Sequence, residues 1–423
     1  MAQLTDDCFA FDGPLMPLEA MERLISERVS PVDGTETVAV AEGRDRVMAA
    51  DIVAPVDLPH FDNSAVDGYA VRHADLAPSG DTVLKIAGRV MAGQKAIPKL
   101  GAGEAIRIFT GARMPDGADT VFMQEDTREE NGAVILPAGL KRGANRRLRG
   151  EDIPAGSVAI PAGRILDAQN LTLASALGIT GLKVRRRIRV AIFSTGDEIV
   201  EPGLRLSGAQ VFDANRTLLR NMLEQTGCEV TDLGVLRDDP AILKIALADA
   251  ARDCDVVLTS GGVSTGDADY VRSAVEAAGS LVFWRIAIKP GRPVAMGVLP
   301  GADGNNAAFI GLPGNPVAVF VTFARVVRPL LMRLSGATTR PLFYLPVVSA
   351  FDYRKKSGRR EYVRVSLKPG ANGGYEAFKH PQDGAGVITS LTETDGLIEL
   401  PDDVTKITAG DQVGFLSYAS LVS

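Results

Sequence analysis

The feature that most narrows the fold is an alternation running from residue 185 to about 335. Strand-like apolar runs at Arg189–Phe193, Glu229–Leu236, Asp255–Thr259, Leu281–Ile288 and Ala307–Gly311 are separated by helix-forming stretches. Asn215–Gln225 places Leu218, Leu219, Met222 and Leu223 on one side, and Gly227 offers a C-cap. The next helix takes Asp238 or Asp239 as N-cap, with Pro240 in its first turn. A further helix starts near Asp269, and a long apolar one follows GLPGNP. Strands alternating with helices predict a doubly wound sheet, which binds ligands at the carboxyl ends of its strands.

Three loops fall at such ends. They are Ser194–Glu198 (STGDE), the segment SGGVSTGDADY ending at Tyr270, and Gly311–Pro316 (GLPGNP). Each is small, polar and glycine-bearing. Backbone N–H groups and hydroxyls in such turns suit an anion, and a helix N-terminus adds partial positive charge. One loop alone is ordinary turn chemistry; three in one sheet point to a phosphate or nucleotide-like ligand. The chain has no Walker lysine motif and no G-x-G-x-x-G, which disfavours the common ATPase and dinucleotide readings. Asp197, Glu198, Asp267 and Asp269 sit at the same ends. N-capping explains each one singly, and a divalent cation between acid and phosphate would explain them together.

WRIAIKPGRP carries Arg285, Lys289 and Arg292. On one regular strand Arg285 and Lys289 would face the same side and suit an oxyanion; a solvated strand face reads equally well. Elsewhere, Asp67-Gly68 in FDNSAVDGYAV reads as a turn, as do IFTGA and GEDI.

The 423 residues exceed one ordinary core. Their net charge of −6 argues against a general nucleic-acid binder. No apolar run reaches the length of a membrane helix, and the acidic start MAQLTDDCFAFDG lacks a signal-peptide core, so a cytoplasmic protein is expected. Cys8, Cys228 and Cys254 lack metal-ligand spacing, and His60, His73 and His380 are far apart in sequence. Acid, base and metal work therefore falls to Asp, Glu, Lys and Arg.

Residues 16–30 have a helical pattern in Leu18, Met21, Leu24 and Ile25. Short runs at Asp81–Ala87, Ala105–Phe109, Thr120–Met123 and Ala133–Leu136 read as a small β unit. Residues 152–182 regain helix-forming texture, which Gly178 or Gly181 would stop. After Pro341, runs at Phe343–Ser349, Glu361–Leu367, Gly396–Leu400 and Gln412–Ser417 suit a C-terminal barrel or sandwich.

The ordered segments DNSAVDGYAV, GRVMAGQ, IFTGARMPDGADTVFMQED, GEDI, STGDE, SGGVSTGDADY, KPGRP and LPGNP, spanning residues 61 to 316, closely resemble the MoeA family. These are the molybdopterin molybdenumtransferases, and the family includes the corresponding domain of gephyrin. The resemblance implies a multidomain α/β plus β protein. Its domains would be a discontinuous N-terminal domain (1–58 plus 152–184), an inserted β-rich domain (59–151), a central three-layer α/β molybdopterin-binding domain (185–335) and a C-terminal β-barrel (336–423). It implies a Mg2+-assisted reaction in which adenylyl-molybdopterin and molybdate give molybdenum cofactor and AMP. The residues fit molybdate and tungstate alike.

By motif position, the family's catalytic groups fall on Asp67, Thr110, Asp152, Glu198 and Asp269. Substrate binding falls on Ser194, Thr195, Gly196, Asp238, Ser260, Gly261, Gly262, Ser264, Gly266, Pro313, Gly314 and Asn315. Glu198, Asp267 and Asp269 would hold the metal. Molybdate would meet Arg285 (where the family pattern has lysine), Lys289 and, from the C-terminal domain, an arginine for which Arg360 is the choice, along with a serine. The resemblance also implies a homodimer that brings DGYA and GEDI of one subunit near the α/β site of the other. The adenylyltransferase of the preceding step is an expected partner. No nucleic acid or membrane is implied.

Overall fold

In the computed structural model, the described residues are 4–5, 8–10, 15–261, 270–291, 293–370 and 373–422. The central sheet has the strand order Glu229–Leu236, Arg189–Thr195, Val256–Ser260, Ala307–Leu312, Pro293–Leu299, Ser280–Arg285. The first four strands are parallel, and the last two run antiparallel to their neighbours. The helix Asn215–Gln225 and the long helical run from Pro316 to Ser335 cover one face; Pro240–Asp253 and Tyr270–Ala278 cover the other. The three layers follow from sequence: the central strands are buried along their whole length, and apolar apart from Thr259 and Ser260 at one end, because both faces are covered.

Two local expectations change. Leu281–Ile288 is not one strand. Ser280–Arg285 ends the sheet, the chain bends, and Ile288–Lys289 pairs instead with Arg360–Glu361 of the C-terminal domain. In 152–182 only Ala168–Ala176 is helical, closed at its start by a reciprocal Asp167–Asn170 capping box. Pro154, Gly156, Pro161 and Gly163 break the earlier part into turns around the strand Val158–Ile160. Gly178, at φ +75°, ends the helix, whereas Gly181 begins a strand.

That strand, Gly181–Arg185, pairs antiparallel with Thr35–Ala39. Val158–Ile160 pairs with Ile52–Val53, so two distant stretches of chain close one small core around Met48, Ile160, Leu166 and Leu182. The described residues before Asp33 pack elsewhere. Leu4, Phe9, Met16, Met21 and Ile25 join the core of the α/β layer, and Trp284 Nε1 donates to the Phe9 carbonyl at 2.8 Å.

The inserted domain is a six-stranded sheet ordered Thr120–Met123, Gly68–Val71, Glu104–Ile108, Thr82–Val90, Ala133–Leu136, Arg128–Glu130. Gly68 is demanded by packing, since a Cβ there would lie 1.7 Å from the Phe122 carbonyl oxygen. In the C-terminal domain, Arg360–Pro369, Tyr375–Lys379, Leu345–Ser349, Gln412–Ser417 and Gly396–Leu400 pair in that order. The last returns to the first, closing a five-strand barrel.

Candidate active site

Parallel register sets the strand ends side by side. Ser194 lies opposite Ser260, and Ser260 opposite Leu312, so STGDE, the start of SGGVSTGDADY and LPGNP share one edge. The Gly261 amide donates to the Leu312 carbonyl at 2.9 Å. Asn215, at the start of its helix, donates from Nδ2 to the Gly314 carbonyl at 2.7 Å. Within this edge Ser194 Oγ, Thr259 Oγ1 and Asn215 Oδ1 are buried without a hydrogen-bond partner among the described residues. A buried polar atom left unmet costs about 1–3 kcal/mol, so several at one sheet edge fit a ligand that meets them.

Thr195 and Asp238 are brought together, the hydroxyl donating to the carboxylate, which leaves Asp239 as the N-cap that accepts from the Ala241 and Ile242 amides. Gly196, at φ +138°, lets the exposed Glu198 fold back: a Cβ on Gly196 would meet the Glu198 carboxylate at 2.8 Å. Pro313, Gly314 and Asn315 form the turn into the long helix, with the Asn315 carbonyl accepting from the Val319 amide. Gly262, Ser264, Gly266, Asp267 and Asp269 lie outside the described residues, as does Arg292. Among the described residues no three His, Cys, Asp or Glu side chains gather as a metal cluster. Of the three residues assigned to a metal by motif, Glu198 is the described one. Its carboxylate is exposed and supplies oxygen donors, the ligand type Mg2+ takes.

A second, cationic cavity adjoins this edge. About 200 Å³ is enclosed between the KPG turn and the barrel, lined by Lys289, Tyr353, Glu361, Arg364, Lys379 and His380, among others. The turn is seated on the long helix, where a Cβ on Gly291 would lie 2.2 Å from the Thr322 hydroxyl. Ala385, also lining the cavity, accepts from the Val317 amide at 3.0 Å, which ties the cavity to the LPGNP turn. Lys289 Nζ donates to the buried Glu361 carboxylate at 3.1 Å, and Tyr353 donates to the same carboxylate at 2.9 Å. Burial alone would raise the Glu361 pKa; the Lys289 and Tyr353 hydrogen bonds and the charges of Lys289 and Arg359 hold it below the usual range.

The motif-assigned molybdate residues part company here. Arg285 stands exposed at the end of the sheet's edge strand, opposite Pro293, while Lys289 has crossed to the barrel. One continuous strand face does not hold them both. Arg360 is taken up by Glu19, Glu399 and Asp402, and those carboxylates raise its pKa against the effect of burial. The barrel arginine that lines the Lys289 cavity is Arg364. Its Nη atoms donate to the Gly384 and Gln382 carbonyls at 3.1 and 3.0 Å, and its buried Nε has no partner among the described residues. Burial lowers its pKa. A sequence signal for it existed: Arg364 interrupts the apolar run YVRV, and an arginine inside a buried strand is costly unless it has work there. Ser390, fully buried on the barrel's short helix, bonds the Val387 carbonyl.

Asp67, Thr110 and Asp152 belong to the inserted domain and its hinge. Asp67 Oδ1 accepts from the Thr110 hydroxyl at 2.7 Å and amide at 2.8 Å, and these bonds lower its pKa. Asp152 is exposed, its amide bonded to the Leu58 carbonyl. All three cysteines are buried; burial pushes the Cys228 thiol up to about 11, unsuited to a thiolate nucleophile.

Residues 16–178 match the family model of the MoeA N-terminal region (domain I and II). Residues 191–333 match that of a probable molybdopterin binding domain, and 346–418 that of the MoeA C-terminal region (domain IV). A Haemophilus influenzae protein named molybdopterin molybdenumtransferase is 36% identical over 93% of this chain and 96% of its own length. One of the same name from Nostoc is 37% identical over 90% of this chain and 88% of its own. The crystal structure of a molybdopterin biosynthesis MoeA protein from Pyrococcus horikoshii superposes with a TM-score of 0.80 at 30% identity, covering 96% of this chain and 100% of that one.

Proposed function

Because the chain belongs to the MoeA family, we propose that it transfers molybdenum: it inserts molybdate into adenylyl-molybdopterin and releases AMP, completing the molybdenum cofactor. The observation that carries this reading is the adjacency of two anion sites of different kinds. The strand-end cradle of Ser194, Thr259 and Asn215 has unmet polar atoms suited to phosphate and pterin groups. The Lys289–Arg364 cavity, joined to it through Ala385 and Val317, suits a compact oxyanion.

The chemistry is positioning and charge stabilisation. Ser194, Thr195 and the LPGNP turn hold the phosphate end. Lys289 and Arg364 hold molybdate and balance its charge, Arg364 taking the place that motif position gave to Arg360. The dithiolene sulfurs come with the substrate, so the buried cysteines have no role. Mg2+, held by Glu198 together with Asp267 and Asp269, would neutralise charge on the phosphoanhydride. Asp67, Thr110 and Asp152 would serve the site of the partner in a homodimer. The adenylyltransferase one step earlier is the natural donor of substrate.

The test separates this reading from adenylyl transfer, which shares the α/β fold. Purified protein is given adenylyl-molybdopterin with and without molybdate, and separately molybdopterin with ATP. Molybdate-dependent AMP release supports the proposal. Adenylylation of molybdopterin from ATP overturns it.

A further inference from the structure

After Gly196 the chain leaves the central sheet on an excursion that returns at Asp213, just before the helix Asn215–Gln225. The excursion carries Glu198. Its two legs are joined by a short parallel pair, Ile199–Val200 with Val211–Phe212. There the Val211 amide donates to the Glu198 carbonyl at 2.8 Å, and the Asp213 amide to the Val200 carbonyl at 2.9 Å. Apolar packing contributes little to fixing this segment. Every residue from Gly196 to Phe212 is exposed or half-buried, and Leu204, Leu206, Val211 and Phe212 are exposed.

Arg216, in the first turn of the helix, ties the excursion to the body of the domain. Its side chain is 12% exposed and meets three carboxylates. Nη2 pairs with Glu201 of the excursion. Nε donates to Asp213, at the foot of the excursion, at 2.8 Å, and Nη1 donates to Asp232 on the sheet's edge strand at 2.6 Å. The Arg216 amide adds a bond to Asp213 at 3.1 Å. Burial opposes the guanidinium charge, and the bonds to Asp213 and Asp232 more than offset it, so the Arg216 pKa is raised. A planar fork with donors in fixed directions holds acids from separate segments in one geometry, which a flexible ammonium does not. The preceding residue, Asn215, donates to the Gly314 carbonyl, so the same helix end also sets the LPGNP turn. Glu198 and Asn215 are therefore placed relative to each other through one guanidinium.

We propose that Arg216, through its grip on Glu201, is a positioning residue for the reaction, setting where Glu198 stands relative to the strand-end cradle. The role rests on the molybdenum-transfer reading above.

Glu201→Ala tests it. The substitution frees the excursion and leaves Arg216 paired with Asp213 and Asp232, and the Glu201 side chain is 41% exposed, so the fold is not at risk. Glu201→Gln keeps an acceptor oxygen for the guanidinium. Amide hydrogen exchange across residues 197–213 reads the hold on the excursion without any activity, and AMP release over an adenylyl-molybdopterin series reads its use. In Glu201→Ala, exchange there should quicken and the half-saturating substrate concentration should rise, each roughly fivefold, the worth of a charge-assisted bond discounted for exposure. The thermal midpoint should stay, and Glu201→Gln should recover part of both effects. With the unaltered protein releasing AMP, unchanged exchange or unchanged half-saturation in Glu201→Ala overturns the positioning role alone. Glu201→Gln no better than Glu201→Ala overturns the hydrogen bond as its means. Absence of AMP release by the unaltered protein overturns the functional reading, and the positioning role with it.

Discussion

Replacing Lys289 by Met removes one cation from the proposed oxyanion cavity and leaves its shape nearly intact. The ammonium is bonded at 3.1 Å to Glu361, and its side chain is 49% exposed. A charge-assisted hydrogen bond is worth roughly 1.5–3 kcal/mol when enclosed. Half-exposure screens this toward the lower figure, and about 1.4 kcal/mol corresponds to tenfold in affinity. The half-saturating molybdate concentration for AMP release should therefore rise about tenfold, with the rate at saturating molybdate largely retained. Glu361 keeps Tyr353 at 2.9 Å and Arg359 at 2.8 Å, so the buried carboxylate is not orphaned and the barrel should remain folded. Steady-state AMP release across a molybdate series measures both parameters, and thermal unfolding controls for folding. An unchanged half-saturation in a folded variant would refute the assignment of Lys289 to the oxyanion.

Other expectations follow from the same geometry. Ser194→Ala deletes a buried hydroxyl without a partner; it should leave urea stability equal or higher while raising the half-saturating concentration of adenylyl-molybdopterin, and a clear loss of stability would contradict the cradle. Because Glu361 has a folded pKa below its ordinary 4.5, its contribution to stability is present above that value and lost as pH falls through the lowered pKa. Glu361→Gln should accordingly flatten the acid limb of the stability profile, and an unaltered slope below pH 4.5 would count against the Lys289–Glu361–Tyr353 arrangement. Gly68→Ala would place a Cβ 1.7 Å from the Phe122 carbonyl oxygen inside the sheet, so it should destabilise the inserted domain by about 3 kcal/mol, the upper part of the overpacking range. An unshifted denaturation midpoint would show that the backbone can yield there.

Legibility in the sequence tracked how local the determining physics is. Asn215–Gln225 and Glu229–Leu236 match their expected bounds because periodicity, a cap and a following glycine all lie within the segment. The strand ends were readable because parallel strands buried on both faces leave polar, glycine-bearing loops at one edge. The bend after Arg285 was not, because Ile288–Lys289 is claimed by a barrel strand more than seventy residues away. Arg360 and Arg364 are four apart on one strand, so alternation assigns them the same side. They are separated by what surrounds each: Glu19 from the first helix beside one, the loop at Gln382 and Gly384 beside the other.

The central claim is that a compact oxyanion sits between Lys289 and Arg364, against the LPGNP turn. Anomalous diffraction at the molybdenum absorption edge, on crystals soaked in molybdate, tests it most directly. The account predicts a molybdenum peak within hydrogen-bonding reach of the Lys289 Nζ and the Arg364 guanidinium. A peak at Arg360, with none between Lys289 and Arg364, would contradict it.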